Sequence, residues 1–143
     1  MREFWKWSSD LDGRSVFFHL EPFPGAVEAL VELGEDGHQI VVVTTKPEFA
    51  IDDTHEWIQN HGIPAVEIHI LEDKWRVPCD VYLDDSPYVV PDYVAQRPDR
   101  VTCRFVRPWN EPVRGARDVA SWAEFHGTVR ALSDGRGQDQ DAV

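Results

Sequence analysis

The run Ile40-Val41-Val42-Val43, within QIVVV at 39–43, constrains the fold more than any other stretch. Four consecutive β-branched residues with no polar alternation leave no side for water, so they read as a parallel strand covered on both faces. A helical pattern stands on either side of it. Upstream, PGAVEALVELGEDGH (24–38) sets Ala26, Leu30 and Leu33, with Val27, on one stripe; Pro24 suits a first turn and Gly37 a terminator. Downstream, FAIDDTHEWIQNHG (49–62) sets Ile51, His55 and Ile58 along one side and ends near Gly62. Further strands are expected at VEIHIL (66–71), DVYL (80–83) and VTCRFV (101–106). A closing helix is expected at DVASWAEFHGTVRAL (118–132), with Val119, Trp122, Ala123 and Val129 recurring at helical spacing. Strands alternating with helices predict an α/β fold. The expected architecture is a three-layer sandwich around a mostly parallel, Rossmann-like sheet, with functional groups at the C-terminal ends of its strands.

The chain of 143 residues, 42% of them apolar, is long enough for one domain with a real core, expected over 1–132. Residues 1–20 are aromatic-rich and irregular, and the polar tail from Ser133 is expected to be disordered. The formal net charge of −12 opposes binding to nucleic acid polymers or anionic membrane surfaces. A local cationic pocket with a metal can still hold a small anionic substrate. Lysine occurs only at Lys6, Lys46 and Lys74. Cys79 and Cys103 fall in different expected strands without CxxC spacing, which reads as free buried thiols in a reducing cytosol. No apolar run reaches membrane-spanning length and no leader pattern opens the chain, so a cytoplasmic protein is expected. A homodimer is left open. The six histidines show no metal-ligand spacing, and packing accounts for the six tryptophans.

Three strand ends carry polar groups of different chemistry. IVVVTT ends in Thr44 and Thr45, where hydroxyls and backbone N–H groups suit a phosphate oxygen. The loop after VEIHIL carries Lys74, a compact charge suited to a phosphoryl group or a neighbouring carboxylate. DVYLDDSP (80–87) ends its strand in Asp84 and Asp85, hard oxygen ligands that suit Mg²⁺. Each has a plainer reading: a threonine turn or cap, a solvated lysine, a DDSP turn. At successive strand ends, in this order, they point to an anion-and-magnesium site.

With FFHLEPFPGAVEALVEL, GHQIVVVTTKP, EIHILEDKWRVPCDVYLDDSP and RFVRPWNEP in sequence, the chain resembles the haloacid dehalogenase-like hydrolase superfamily. Within it, the resemblance is to the 5′(3′)-deoxyribonucleotidase branch, over residues 17 to 132. It implies a Mg²⁺-dependent phosphatase that hydrolyses nucleoside monophosphates through a phospho-aspartate. Thr44 matches the residue that holds the transferring phosphoryl group, and Thr45 adjoins it. Lys74 matches the lysine that steadies the nucleophile and the phosphoryl charge. Asp84 and Asp85 match the metal-binding acidic pair. Small phosphorylated substrates, nucleotides above all, are the implied partners.

The family's first motif, DxDG, supplies the nucleophile and the acid/base at the end of an apolar strand. Here DLDG (10–13) follows MREFWKWSS, with Ser8 and Ser9 where apolar residues belong, and it lies close to Pro24, leaving no room for a full cap domain. Either DLDG supplies the nucleophile, Asp10, in spite of these surroundings, or, on the more economical reading, residues 1–20 match the end of the cap region. The first strand, central in the family sheet, would be absent, replaced by Phe4 to Trp7, or supplied by a longer natural protein that begins upstream of Met1; the last is favoured. Two alternatives stand beside the phosphatase. One is a truncated or inactive relative that binds metal or phosphate without turnover. The other is a receiver-type signalling domain, disfavoured because there the acidic pair precedes the threonine and lysine.

Overall fold

The computed structural model describes the backbone of residues 21–141 and the side chains of residues 21–135; DLDG, Asp10 and Phe4 to Trp7 lie outside the described residues. The chain divides into two compact units, Met1–Lys74 and Trp75–Val143.

In the first unit, helix α1 (Ala26–Glu35) leads into strand β1 (Ile40–Thr44), and helix α2 (Ile51–Asn60) leads into strand β2 (Ala65–Ile70). Both helices stop in the same way. A glycine at positive φ, Gly37 or Gly62, lets the following amide reach back five residues, His38 to Leu33 O (3.1 Å) and Ile63 to Ile58 O (3.2 Å). That closure satisfies end carbonyls and turns the chain into the next strand. β1 and β2 pair in parallel, from Ile40 with Ala65 to Thr44 with Ile70. The expected burial of β1 on both faces is not met: all five of its residues are half-buried, and among the described strands it pairs on one side only.

The helix faces also differ from the expected stripes. On α1 the buried positions are Ala26, Ala29 and Leu33, with Val27 and Leu30 half-buried. On α2 they are Asp53, Thr54 and Ile58, while His55 is exposed. Thr54 tolerates burial because its hydroxyl donates to Ala50 O at 2.6 Å.

The second unit holds β3 (Val81–Asp84), α3 (Val89–Gln96), β4 (Val101–Phe105), β5 (Ala116–Val119) and α4 (Trp122–Asp141). The three strands form a parallel sheet in the order β3-β4-β5. Cys79 lies in the loop before β3 rather than in a strand; Cys103 is on β4, fully buried, and both thiols are free. Asp118 and Val119, expected to open the last helix, belong to β5. The helix begins at Trp122 and buries Phe125, His126 and Val129, while Ala123 is exposed. Ser121 starts it, its hydroxyl accepting from Glu124 N at 3.0 Å while the Glu124 carboxylate accepts from Ala120 N at 2.9 Å. The helix continues to Asp141, through the stretch where polar composition predicts loss of order. No described helix is long and apolar enough to cross a membrane.

Tyrosines organise the approach to β3. Tyr82 stacks on Tyr93 of α3, ring centroids 4.3 Å apart, and its hydroxyl donates to Val77 O (2.7 Å) and accepts from Cys79 N (3.1 Å). Burial raises the Tyr82 phenol above its ordinary range; burial, aided by the charge of Asp84, does the same to Tyr93, and burial pushes the Cys103 thiol up to about 11. The fold thus holds all three groups protonated, whereas the unfolded chain ionises its cysteines near about pH 8.5 and its tyrosines near about pH 10. Above those values the native state binds more protons than the unfolded one, so stability falls as pH rises. Urea midpoints are expected to be level from pH 6 to 8 and to drop steeply by pH 10.5. Cys103→Ala is expected to flatten the early part of that fall, and a midpoint unmoved by alkali would contradict this account of the core.

Candidate functional site

The first unit carries Thr44, Thr45, Lys46 and Lys74. β1 ends at Thr44, whose carbonyl accepts from Leu71 N at 3.0 Å. Thr45 is exposed, and its hydroxyl donates to Leu71 O at 2.7 Å. These two bonds tie the end of β1 to the loop that leads to Lys74. They also commit the one hydroxyl proton of Thr45, and Thr44 is half-buried. Lys74 opens a short 3₁₀ turn, Lys74–Arg76, with its amide donating to Glu72 O at 3.1 Å. Lys46, which the motif reading passes over, joins it. Burial first, and then the charge of Lys74, lowers the Lys46 pKa. The charge of Lys74 thus acts on Lys46, on a chain of strongly negative net charge.

The second unit carries Asp84 and Asp85. Asp84 is the last residue of β3, and Asp84, Asp85 and Ser86 are all half-buried. One carboxylate oxygen of Asp84 accepts from the amides of Asp85 (2.8 Å) and Ser86 (2.9 Å), an Asx turn. Ser86 extends it: its hydroxyl oxygen accepts from Tyr88 N (3.2 Å), just before α3, and from Val89 N (3.3 Å), the first amide of the helix. The plain turn reading of DDSP is therefore correct in geometry. It also fixes the acidic pair at the strand end rather than leaving it on a loose loop.

Three residues around this loop escape a motif search. Asn110 is buried and bonded to the backbone carbonyl of Asp85 (2.8 Å). Arg104, 4% exposed, binds Asn110 Oδ1 through Nη1 (2.6 Å) and Asp118 through Nε (2.7 Å). The available signal was a charge inside the apolar run VTCRFV, since a buried guanidinium requires partners. The guanidinium holds the Asp118 carboxyl below the usual carboxylate range.

Among the described residues no three His, Cys, Asp or Glu side chains gather into a metal cluster. Asp84 and Asp85 nevertheless fit magnesium, which commonly takes one or two carboxylates and completes its shell with water and substrate phosphate oxygens.

Residues 2–133 match the family described as 5′ nucleotidase, deoxy (Pyrimidine), cytosolic type C protein. A protein of Chlorobaculum tepidum, by provisional name a 5′(3′)-deoxyribonucleotidase, is 29% identical over 127 residues, which is 83% of this chain and 60% of that protein. A provisionally named nucleotidase of Bacillus cereus is 26% identical over 136 residues, 87% of this chain and 68% of that protein. The mitochondrial 5′(3′)-deoxyribonucleotidase of Homo sapiens is 30% identical over 82 residues, 53% of this chain and 36% of that protein. This chain thus spans less than two thirds of the Chlorobaculum protein's length. The match takes in both parallel sheets and the strand ends that carry Thr44 and Asp84, and the chain belongs to the 5′ nucleotidase, deoxy (Pyrimidine), cytosolic type C (NT5C) family, a branch of the haloacid dehalogenase-like superfamily.

Proposed function

We propose that the chain serves a Mg²⁺-dependent phosphatase acting on deoxyribonucleoside and ribonucleoside monophosphates. The observation that carries this reading is the turn at the end of β3, which holds two adjacent carboxylates at a strand terminus in a member of a nucleotidase family. Asp84 and Asp85 would hold the magnesium, whose chemistry is to neutralise charge on the phosphoryl oxygens. Thr44 would donate to a phosphoryl oxygen. Lys74 would offset the charge that builds there, with Lys46 adding to the positive potential. In the phospho-aspartate route, a carboxylate attacks phosphorus as the bond to the nucleoside oxygen breaks. Water then cleaves the acyl phosphate to inorganic phosphate. The nucleophile belongs to the first motif, and no described residue is assigned to it.

Binding can be tested apart from turnover. Mg²⁺ with inorganic phosphate is expected to raise the melting temperature of the wild-type chain, since saturation a hundredfold above Kd adds about 2.7 kcal/mol. Lys46→Met removes the partly buried charge that feels Lys74. With phosphate it should gain less than the wild type does. Equal phosphate-dependent shifts in the two proteins would remove Lys46 from the site. No shift in the wild type with either ligand would count against the metal-and-phosphate reading as a whole.

A further inference from the structure

We propose that Asn110 is a positioning residue for the Asp84–Asp85 loop, held in place by Arg104 and Asp118; the inference rests on the reading of that loop as a metal site. Asn110 spends its full hydrogen-bonding capacity. Its Nδ2 donates to Asp85 O (2.8 Å) and Phe105 O (2.9 Å), and its Oδ1 accepts from Arg104 Nη1 (2.6 Å) and Arg107 N (3.1 Å). The residue is buried, so each of these bonds is costly to lose.

Strand register explains why Arg104 can orient it. Asp84 pairs with Arg104, and Arg104 pairs with Asp118, so the three residues form one row across β3, β4 and β5. Arg104 lies in the middle of that row with its side chain 5% exposed, bonded to Asp118 on one side and reaching Asn110 with its other arm. The amide of Asn110 can then point only one way: Oδ1 toward the guanidinium, Nδ2 toward the carbonyls. The Asp85–Ser86 peptide is thereby held twice, its N–H by the Asp84 carboxylate and its C=O by Asn110, while the Asp84–Asp85 peptide N–H is held by the same carboxylate. A buried arginine needs acceptors for its own sake, and Asp118 with Asn110 Oδ1 would meet that need. Nothing in that need calls for a bond to Asp85 O, and that bond marks the positioning role.

Asn110→Asp separates the two roles. Asp is nearly isosteric and keeps the acceptors that face Arg104 and Arg107, but it cannot donate to Asp85 O or Phe105 O. In metal-free protein, hydrogen exchange at the Asp85 and Ser86 amides is expected to quicken about tenfold, while Thr102 and Cys103 on β4 stay within about threefold of wild type. The Mg²⁺ dissociation constant, read by calorimetry, is expected to rise about 10- to 100-fold, the usual effect of disturbing a group behind a metal ligand. Asp118→Asn, on the exposed side of the row, should show the same pattern in weaker form and serves if Asn110→Asp fails to fold. Unchanged exchange at Asp85 and Ser86 would overturn the proposal, and so would a uniform rise across β3 to β5, which a purely structural role predicts. If the wild type binds no Mg²⁺ but the localised exchange effect appears, the positioning role stands and the metal reading of the loop falls.

Discussion

Asp84→Asn is expected to lower Mg²⁺-dependent phosphate release by about 10²- to 10³-fold, the range for losing one electrostatic contact to a developing charge. The folded structure should barely register it. Asn retains the side-chain oxygen that accepts from the Asp85 and Ser86 amides, so the turn survives and only the charge disappears. Stability is therefore expected within about 0.5 kcal/mol of wild type. Asp84→Ala provides the contrast, since it removes the turn bonds as well and should cost about 1–3 kcal/mol. Urea titration of both variants beside their rates separates the two functions of one carboxylate. If Asp84→Asn kept full activity, Asp84 would be a turn residue and nothing more. The same substitution should also bring the Tyr93 phenol back toward its ordinary range, because the Asp84 charge contributes to raising it.

Lys74→Met should have the second largest effect, also about 10²-fold on kcat/KM, with stability changed by less than about 0.5 kcal/mol. Lys74 is half-buried at the head of a short turn, and methionine keeps most of its aliphatic length. Removing the charge should also relieve Lys46, whose pKa is held down partly by Lys74. The sign follows from the proton balance. A lysine with a lowered native pKa is destabilising while charged, so the native state gains stability as pH rises from that value toward the unfolded value of about 10.4. Lys74→Met should shrink this alkaline gain, and the difference is readable from melting temperatures at pH 8 and pH 10 against wild type. A Lys74→Met chain with wild-type kcat/KM would remove that residue from the phosphoryl site.

Local patterning carried much of the fold. Ile40 to Val43 could only be a strand, and the two glycine stops placed the ends of α1 and α2 within a few residues. What escaped was structure held by partners distant in sequence. The β5 segment Ala-Arg-Asp-Val offers two apolar residues, one at each end, and becomes a strand because Thr102 to Phe105 pair along it. VVPDYVAQ hides α3 behind Pro91, yet that proline stands in the first turn, where its missing N–H has no helical partner to lose. The helix faces shifted for a related reason. Val119 looked like part of the closing stripe, but it sits on a strand, and burial on α4 falls on Phe125, His126 and Val129.

The site divides in the same way. In the proposed site, Thr44, Lys74, Asp84 and Asp85 stand at or just beyond strand ends, and order in the chain and residue type are the grounds for proposing them. Lys46 stood in plain view beside Thr45, but its neighbour Lys74 lies 28 positions away, and only the fold brings their charges close. Asn110 is an ordinary polar residue until its donor is seen on the Asp85 carbonyl. Arg104 gave a signal of need, a charge in an apolar strand, without saying which acceptors would meet it.

The most direct test of the central claim is release of inorganic phosphate from a deoxyribonucleoside monophosphate by the purified chain, with Mg²⁺, with excess chelator, and beside Asp84→Asn. The account predicts release that requires Mg²⁺, stops with chelator and falls about 10²- to 10³-fold in the variant. A well-folded chain that releases no phosphate, or one whose release ignores both the metal and Asp84, would contradict it.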